Sequence, residues 1–327
     1  MDSLTNVLVT GTGGIGGINF VRALRLAETQ NSTKLFLVCT DHNPYYLQFP
    51  QADVRFVSPR HDDPNFVPTL LKLIKKYAIR FLHPHPSSEA RVVSENSVLF
   101  KNEKVETYLP KPTSIMPDKL EMHNALSKQD VPVPRTMALN SLNNIDDAFS
   151  EIGRPLWIRA KHGAGGRLGL KVDTPEQARH WVTLNALQNR AAIGDFILQE
   201  YLPGRDLAFD SLWFKGQLIT SYARERLEYA LKHVSLSGIT GTPTIAKTVR
   251  DQELNRVGVE AIKALDSKPH GFFSVDAKED ITGKPIITEV DGKWHTTAPL
   301  WGYAFAKAFE KPELNIAYAY LMLGLNG

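Results

Sequence analysis

The first forty residues limit what this chain can fold into more than any other stretch. VLVT (7–10), the cluster GTGGIGG (11–17) and INFVRALRLAE read as a strand, a tight glycine turn and a helix. KLFLVCTD then supplies a second strand ending at Asp41. Gly11, Gly13 and Gly16 fit G-x-G-x-x-G, and Asp41 lies a little beyond the usual distance for the acid of a dinucleotide fingerprint. Taken alone, the pattern points to a nicotinamide cofactor. The same glycines also suit an α/β unit in which they only permit a tight turn and close packing of helix on strand. A phosphate or carboxylate at the helix N-terminus needs no dinucleotide either.

Periodic segments continue to about residue 110. FVPTLLKLIKKY has helical spacing, IRFLHP reads as a strand, and SSEARVVSENSVLFKNE reads as a helix. His83 and His85, two apart on extended chain, could share a metal but lack a third ligand; a strand end lining a crevice explains them as well. LPKPTSIMP (109–117) carries three prolines and reads as a linker, placing a domain boundary near residue 110. Asp118 is the expected N-cap of KLEMHNALSKQ, with Glu121 three residues on. RPLWIRA, KHGAGGRLG and LKV form strand, glycine-rich loop and strand, with Arg159, Lys161 and Arg167 around Gly163, Gly165, Gly166 and Gly169. The loop neither ends in Gly-Lys-Ser/Thr nor leads into a helix, so it is not a P-loop. A hairpin tip with exposed amides and several cations can still close over phosphates. Thr174 to Gln177 is a strong helix start.

FILQEYLPGRDLAFDSLWF reads as two strands around Pro203-Gly204, and GQLITSYARERLEY continues the sheet, presenting Arg224 and Arg226 two apart. After the loop SLSGITGTPTIAK comes the amphipathic helix DQELNRVGVEAIKALD. Then GFFSVDA delivers Asp276, and PIITEV, rich in β-branched residues, delivers Glu289 and Asp291. Residues two apart on a strand share a face, and a hairpin would set Asp276 beside them. Three carboxylates converging there would require cations, and an oxygen-only cluster suits magnesium shared with nucleotide phosphates. The tail from Trp301 is expected to be helical, with aromatic residues at core spacing.

The 327 residues suffice for two or three compact units. A formal net charge of +3 gives no argument for nucleic acid. No apolar run approaches the ~20 residues of a membrane span. No signal peptide is evident, and Cys39 as the single cysteine excludes an intrachain disulfide, so a reducing cytoplasm is the expected home.

In order and spacing these pieces resemble the ATP-grasp superfamily, in particular ligases similar to a half of the carbamoyl-phosphate synthase large subunit. The resemblance covers nearly the whole chain. It implies an α/β chain with a Rossmann-like N-terminal (pre-ATP-grasp) domain over residues 1–110 that binds no dinucleotide. An α+β ATP-grasp fold would follow, with a linker helix and lid subdomain over 111–198 and a C-terminal subdomain with the Mg-ATP site over 199–327. ATP and Mg²⁺ are the implied cofactors. Lys119, Arg159 and Lys161 would hold ATP phosphates, with the Gly163–Gly169 loop and Arg167 closing over them. Glu200, Tyr201 and Leu202 would form the strand whose backbone reads adenine, and Asp206, where many members have Glu, would approach the ribose. Asp276, Glu289 and Asp291 would hold magnesium, and Lys293 would face the reacting phosphate. Asp291 replaces the commoner Asn, adding a negative charge that two Mg²⁺ ions could balance. Lys293 replaces the commoner Arg, leaving a point charge in place of bidentate geometry. Arg224, Arg226, His295, Thr296 and Thr297 are candidates for gripping a carboxylate substrate. The implied reaction joins a small-molecule carboxylate and an amine through an acyl phosphate; a homodimer is a further expectation. A reductase using the first glycine motif competes with this reading, supported by Tyr303-x-x-x-Lys307, although that pair stands far from the glycines. An ATP-binding scaffold with a degenerate site is the third.

Overall fold

Four short strands near the N-terminus pair in parallel, in the order β3-β2-β1-β4. The computed structural model describes residues 4–163, 166 and 168–327. The elements of this first part are β1 (Thr5–Thr10), α1 (Ile15–Asn31), β2 (Leu35–Asp41), β3 (Val54–Val57), α2 (Phe66–Tyr77), β4 (Phe81–Pro84), α3 (Ser87–Glu95) and α4 (Ser97–Asn102). The helix expected over 87–103 is broken at Asn96, whose backbone leaves the helical region and whose side-chain amide donates to Val92 O at 2.9 Å.

The glycine turn is filled by protein. A Cβ on Gly13 would meet Tyr46 at 2.2 Å, one on Gly16 would meet the His85 ring at 2.0 Å, and one on Gly11 would meet Pro86 at 2.1 Å. Asp41 caps the turn, accepting from the N–H groups of Gly13 and Asn43, each at 2.9 Å. The glycines thus serve close packing, as in the second of the sequence readings, and Asp41 is already engaged. His83 stacks on Phe20, with ring centroids 3.8 Å apart, and bonds His85 across 3.2 Å. Among the described residues no group of three or more His, Cys, Asp or Glu gathers as a metal site.

The next elements are α5 (Lys119–Ser127), β5 (Thr136–Ala138), α6 (Asn144–Glu151), β6 (Leu156–Ala160), β7 (Leu170–Val172), α7 (Pro175–Leu187) and β8 (Phe196–Glu200). Their strands form an antiparallel sheet in the order β5-β8-β6-β7. Asp118 caps α5 through the N–H groups of Leu120 and Glu121, and Thr174 with Gln177 makes a capping box on α7. The sequence reading left β5 and α6 unassigned.

A third sheet, in the order β11-β10-β9-β12-β13, is built from β9 (Asp206–Phe214), β10 (Gln217–Tyr229), β11 (Pro243–Val249), β12 (Gly271–Glu279) and β13 (Pro285–Asp291). α8 (Gln252–Leu265) lies between β11 and β12 in the chain, and α9 (Ala298–Ala308) and α10 (Ile316–Asn326) close it. Pro312 separates these last two helices, since its ring cannot continue a helix.

The third sheet is amphipathic by alternation. Leu207, Phe209, Phe273 and Val275 point one way and pack with Val257 and Ile262 of α8. Leu212 and Phe272, on the opposite face, enter the core of the first sheet with Phe20, Phe81 and Tyr320. Phe272 lies flat on Trp294, centroids 3.8 Å apart, and Trp294 meets Tyr320 edge-on at 5.2 Å. This seam locks the third sheet to the first. Phe272→Ala should therefore lower stability by about 3–5 kcal/mol, read as a shift of the urea midpoint, with both sheets unfolding in one transition.

Glu89, in the first turn of α3, is buried beside Gly11 and bonded by the Thr10 hydroxyl. Burial pushes its carboxyl up to about 7. The native state then holds a proton that the unfolded chain releases above about pH 4.5, so stability is lost as pH rises from there to about 7. Glu89→Gln carries no such loss. Its urea midpoint should gain on the wild type as pH rises from 5 to 8, and parallel pH profiles would contradict this.

Candidate active site

Register decides which side chains meet on the second face of the third sheet. Asp210 lies opposite Tyr222 and Ser274, Ala208 opposite Arg224 and Asp276, and Asp206 opposite Arg226 and Lys278. β13 sets Glu289 opposite Asp276 and Asp291 opposite Ser274. Opposed residues share a face, so the expected hairpin forms and its acids stand together with the arginines of β10.

The charges on this face are matched differently from the sequence expectation. Asp276 pairs with Arg226 and, at 3.0 Å, with His295 Nε2, all through Oδ1. Glu289 Oε2 accepts from Arg159 at 2.8 Å and has Lys119 Nζ at 3.7 Å, while Lys293 Nζ is 4.0 Å from Oε1. Asp291 takes the Met116 N–H and Lys293 Nζ, each at 2.9 Å. The three carboxylates do not converge on one point. Asp276 and Glu289 are neighbours, whereas Asp291 is turned to the 110–117 linker and to Lys293. Burial opposes the charge of Asp276, but Arg226 and His295 hold it well below the usual carboxylate range. Burial likewise opposes Glu289, and Lys119, Lys293 and Arg159 keep it low. Desolvation opposes the charge of the half-buried Lys293, yet Asp291 and Glu289 hold its ammonium above the ordinary lysine range.

The arginines of β10 are not free cations either. Arg224 forms a fully buried ion pair with Asp210, and Arg226 joins Asp206 at 3.2 Å as well as Asp276. Asp206 also accepts from the Tyr229 hydroxyl at 2.7 Å. His295 is gripped from both sides, Nδ1 by Asp210 at 2.8 Å and Nε2 by Asp276. Burial would lower its pKa, but these two carboxylates raise it above the ordinary imidazole value. Thr296 Oγ1 touches Thr242 Oγ1 at 3.4 Å, and Thr297 is buried at the start of α9.

Asp210 was not singled out from the sequence. It accepts from Arg224 and His295, and the Ser274 hydroxyl, which accepts the His295 N–H at 3.0 Å, lies 2.8 Å from both Asp210 Oδ1 and Lys293 O and can give its one proton to either. An acid in the middle of the largely apolar strand DLAFDSLWF was the signal available. Gly292 holds the turn against the linker: its N–H donates to Ser114 O at 2.7 Å, and a Cβ there would meet Pro110 at 2.8 Å.

The glycine loop joins the same corner. Lys119, nearly fully buried, donates to Gly163 O at 2.7 Å and so ties the start of the loop to Glu289. Lys161 is anchored by its backbone, accepting the Lys119 N–H at 3.1 Å. Gly166 lies against Ile239 of the β10–β11 connection. Gly165 and Arg167 fall outside the described residues. Past β8, the Tyr201 ring has Lys171 Nζ at 5.3 Å and Lys278 Nζ at 5.8 Å, Leu202 is buried, and Glu200 pairs with Arg135 at 3.4 Å. Tyr303 lies on α9, with the cations of Arg22 and Lys307 over its ring. The reductase reading therefore finds no free ribose-binding acid, because Asp41 already accepts from two backbone N–H groups.

No family model matches the chain. Over 157 residues, 46% of its length, it is 27% identical to the carbamoyl phosphate synthase large chain of Methanoculleus marisnigri. The match to the same enzyme of Methanoregula boonei is 28% over 160 residues. The chain matches only 14% of the length of these curated relatives. Among solved structures, biotin carboxylase of Campylobacter jejuni, a complex with an ATP analogue, superposes with a TM-score of 0.66 at 16% identity, over 89% of this chain and 65% of that one. L-amino acid ligase of Bacillus licheniformis gives 0.67 at 12% identity, over 98% and 74%. These likenesses identify the three-sheet architecture: the chain shares the fold of these biotin carboxylase and L-amino acid ligase structures.

Proposed function

We propose that the protein is an ATP-dependent ligase that joins a carboxylate to an amine and releases ADP and phosphate. The observation that carries this is the corner where Lys119, Arg159 and Lys293 surround Glu289 beside the mouth of the glycine loop. Three cations around one acid suit a polyphosphate and its counter-ion. In this reading residues 1–110 are a Rossmann-like unit that binds no dinucleotide, 111–198 the linker and lid, and 199–327 the unit holding Mg-ATP. The solved relatives named above support ATP as the nucleotide.

The donor set also fits magnesium. Asp276 and Glu289, opposed on adjacent strands, would supply the carboxylate oxygens, and magnesium commonly takes one or two carboxylates plus phosphate oxygens. When bound, the ion would neutralise phosphate charge and orient the transferred group. Asp291 is no third ligand here; it fixes Lys293. Lys119 and Arg159 then hold phosphate oxygens, Lys293 faces the γ-phosphoryl group, and Tyr201–Leu202 border the purine. Closure over the nucleotide is the role this reading gives the glycine-rich loop, of which Gly165 and Arg167 lie outside the described residues. Exclusion of water by that closure protects an acyl phosphate from hydrolysis.

Calorimetry should show Mg-ATP binding and no comparable binding of NADPH; the reverse ranking would favour the reductase. Incubated with panels of ¹⁸O-labelled carboxylates and amines, the protein should form ADP and phosphate. One labelled oxygen should pass into that phosphate, because the carboxylate oxygen attacks phosphorus and leaves with it. AMP with pyrophosphate, or unlabelled phosphate, would rule out the acyl-phosphate route.

Glu289→Gln and Asp276→Asn keep the side-chain shape and remove the charge. Each should cut substrate-dependent ADP release by about 100-fold or more, a loss of roughly 3 kcal/mol of transition-state stabilisation. Wild-type rates in both would reduce these acids to structural ion pairs.

A further inference from the structure

Strand β13 carries one residue too many for its partner. Ser274, Val275 and Asp276 oppose Asp291, Val290 and Glu289 in turn, but Ala277 opposes Ile287, which leaves Thr288 as a bulge. The bulge decides where Glu289 points. Were the ladder continued from Ala277 without it, Glu289 would oppose Val275, whose side chain packs in the core with Phe209 and Ile262. A slip of one residue turns a side chain to the opposite face. The meeting of Glu289 with Asp276 in the candidate site therefore depends on the bulge being kept.

β13 is also the edge strand of its sheet, so the outward backbone groups beside Glu289 face no further strand among the described residues. Helix α5 serves instead. The Val290 N–H donates to Met122 Sδ at 3.1 Å, and the Thr288 carbonyl accepts from His123 Nε2 at 3.0 Å and Arg159 Nη1 at 3.5 Å. A carbonyl can only accept, so Nε2 carries the ring proton, and Nδ1 accepts from the Gln199 side-chain amide at 2.9 Å. The second N–H of that amide goes to Thr136 Oγ1 at 2.9 Å, whose own proton goes to Pro134 O at 2.8 Å. His123 and Gln199 are both buried, and burial pushes the imidazole down to about 4, so the ring is neutral at neutral pH. A side chain needed only to fill this space would be apolar, as Met122 and Leu126 beside it are, because a buried polar ring costs free energy unless it is bonded.

We infer that His123 is a positioning residue: it holds the Thr288 bulge, keeps Glu289 turned to Asp276, and ties that acid to β8 one residue before Glu200. Lys119 stands one turn earlier on the same helix, so α5 sets both the acid and a cation that faces it. The part these groups play in binding nucleotide and magnesium rests on the ligase reading; the hold on the bulge does not.

The test separates the two ring nitrogens. Glutamine brings an amide N–H near the position of Nε2, whereas asparagine reaches only that of Nδ1. ADP binding to the full chain is measured by calorimetry with excess Mg²⁺ and with EDTA, and the ratio of the two affinities reports how well Glu289 is placed for the ion. The wild type and His123→Gln should share one ratio. In His123→Asn the ratio should fall about tenfold or more, the usual loss when a side chain that orients a metal ligand is removed. Binding in EDTA should be the same in all three. An unchanged ratio in His123→Asn, an equal fall in His123→Gln, or a parallel fall in EDTA overturns the inference. Circular dichroism checks folding, and ¹⁵N NMR of the nucleotide-free wild type decides if His123→Asn does not fold. A proton on Nε2 with a bare Nδ1 is expected there, and the opposite tautomer overturns the hold on the bulge. A wild type that binds no ADP, or binds it equally in both arms, removes the metal site of the ligase reading, and the ring tautomer then decides the hold by itself.

Discussion

The buried carboxylate of Asp210 is the interaction on which the arrangement of the site depends. It accepts from Arg224 on β10 and His295 in the turn before α9, with the Ser274 hydroxyl of β12 against it, and so ties three pieces of chain to one point. Burial opposes its charge, but Arg224 and His295 hold it far below the ordinary carboxylate range. A buried ion pair is a weak source of net stability, since desolvation offsets most of the attraction. Its effect here is directional. Because Ser274 also meets the backbone on either side of Trp294, the turn carrying Lys293 and His295 has one favoured position.

That position matters because the turn serves two environments at once. Trp294 points into the seam with Phe272 and Tyr320, while Lys293 and His295 face the acids of β12 and β13. Along β9 and β12 a single sheet face changes from apolar at Leu212 and Phe272 to charged at Asp206, Asp210 and Asp276. The apolar half docks the third sheet on the first, and the charged half holds the ion pairs of the candidate site. Docking energy therefore also aligns the site, and the 110–117 linker, bonded to Gly292 and Asp291, crosses where the halves meet.

On the charged half, each acid has a protein cation as counter-ion. Arg226 and His295 serve Asp276, while Arg159, Lys119 and Lys293 serve Glu289. Acids this close together would repel one another, and these side chains remove that repulsion. In the proposed function the cations turn to phosphate oxygens while the acids turn to the ion. The same side chains would thus serve both states.

Much of this was legible in the residues. Local signals set the strands, the caps at Asp118 and Thr174, and the hairpin bearing Asp276 and Glu289, because alternation and capping act over a few residues. The glycines of 11–17 announced a tight turn, but whether it was open to a cofactor depended on Tyr46, His85 and Pro86, brought there by other elements. Which acids would meet which cations was also beyond local reading. Asp291 looks like a partner of Glu289 by spacing, yet tertiary contacts turn it to Met116 and Lys293. Asp210 and Arg224 are 14 residues apart, and only the pairing of β9 with β10 makes them a buried pair. The sequence by itself determined the order of most elements, though not β5 or α6, and which face each of its strands could bury. The tertiary structure decided the charge pairing, because Coulomb and hydrogen-bond energies depend on distances that strand register and docking set, and residue spacing does not.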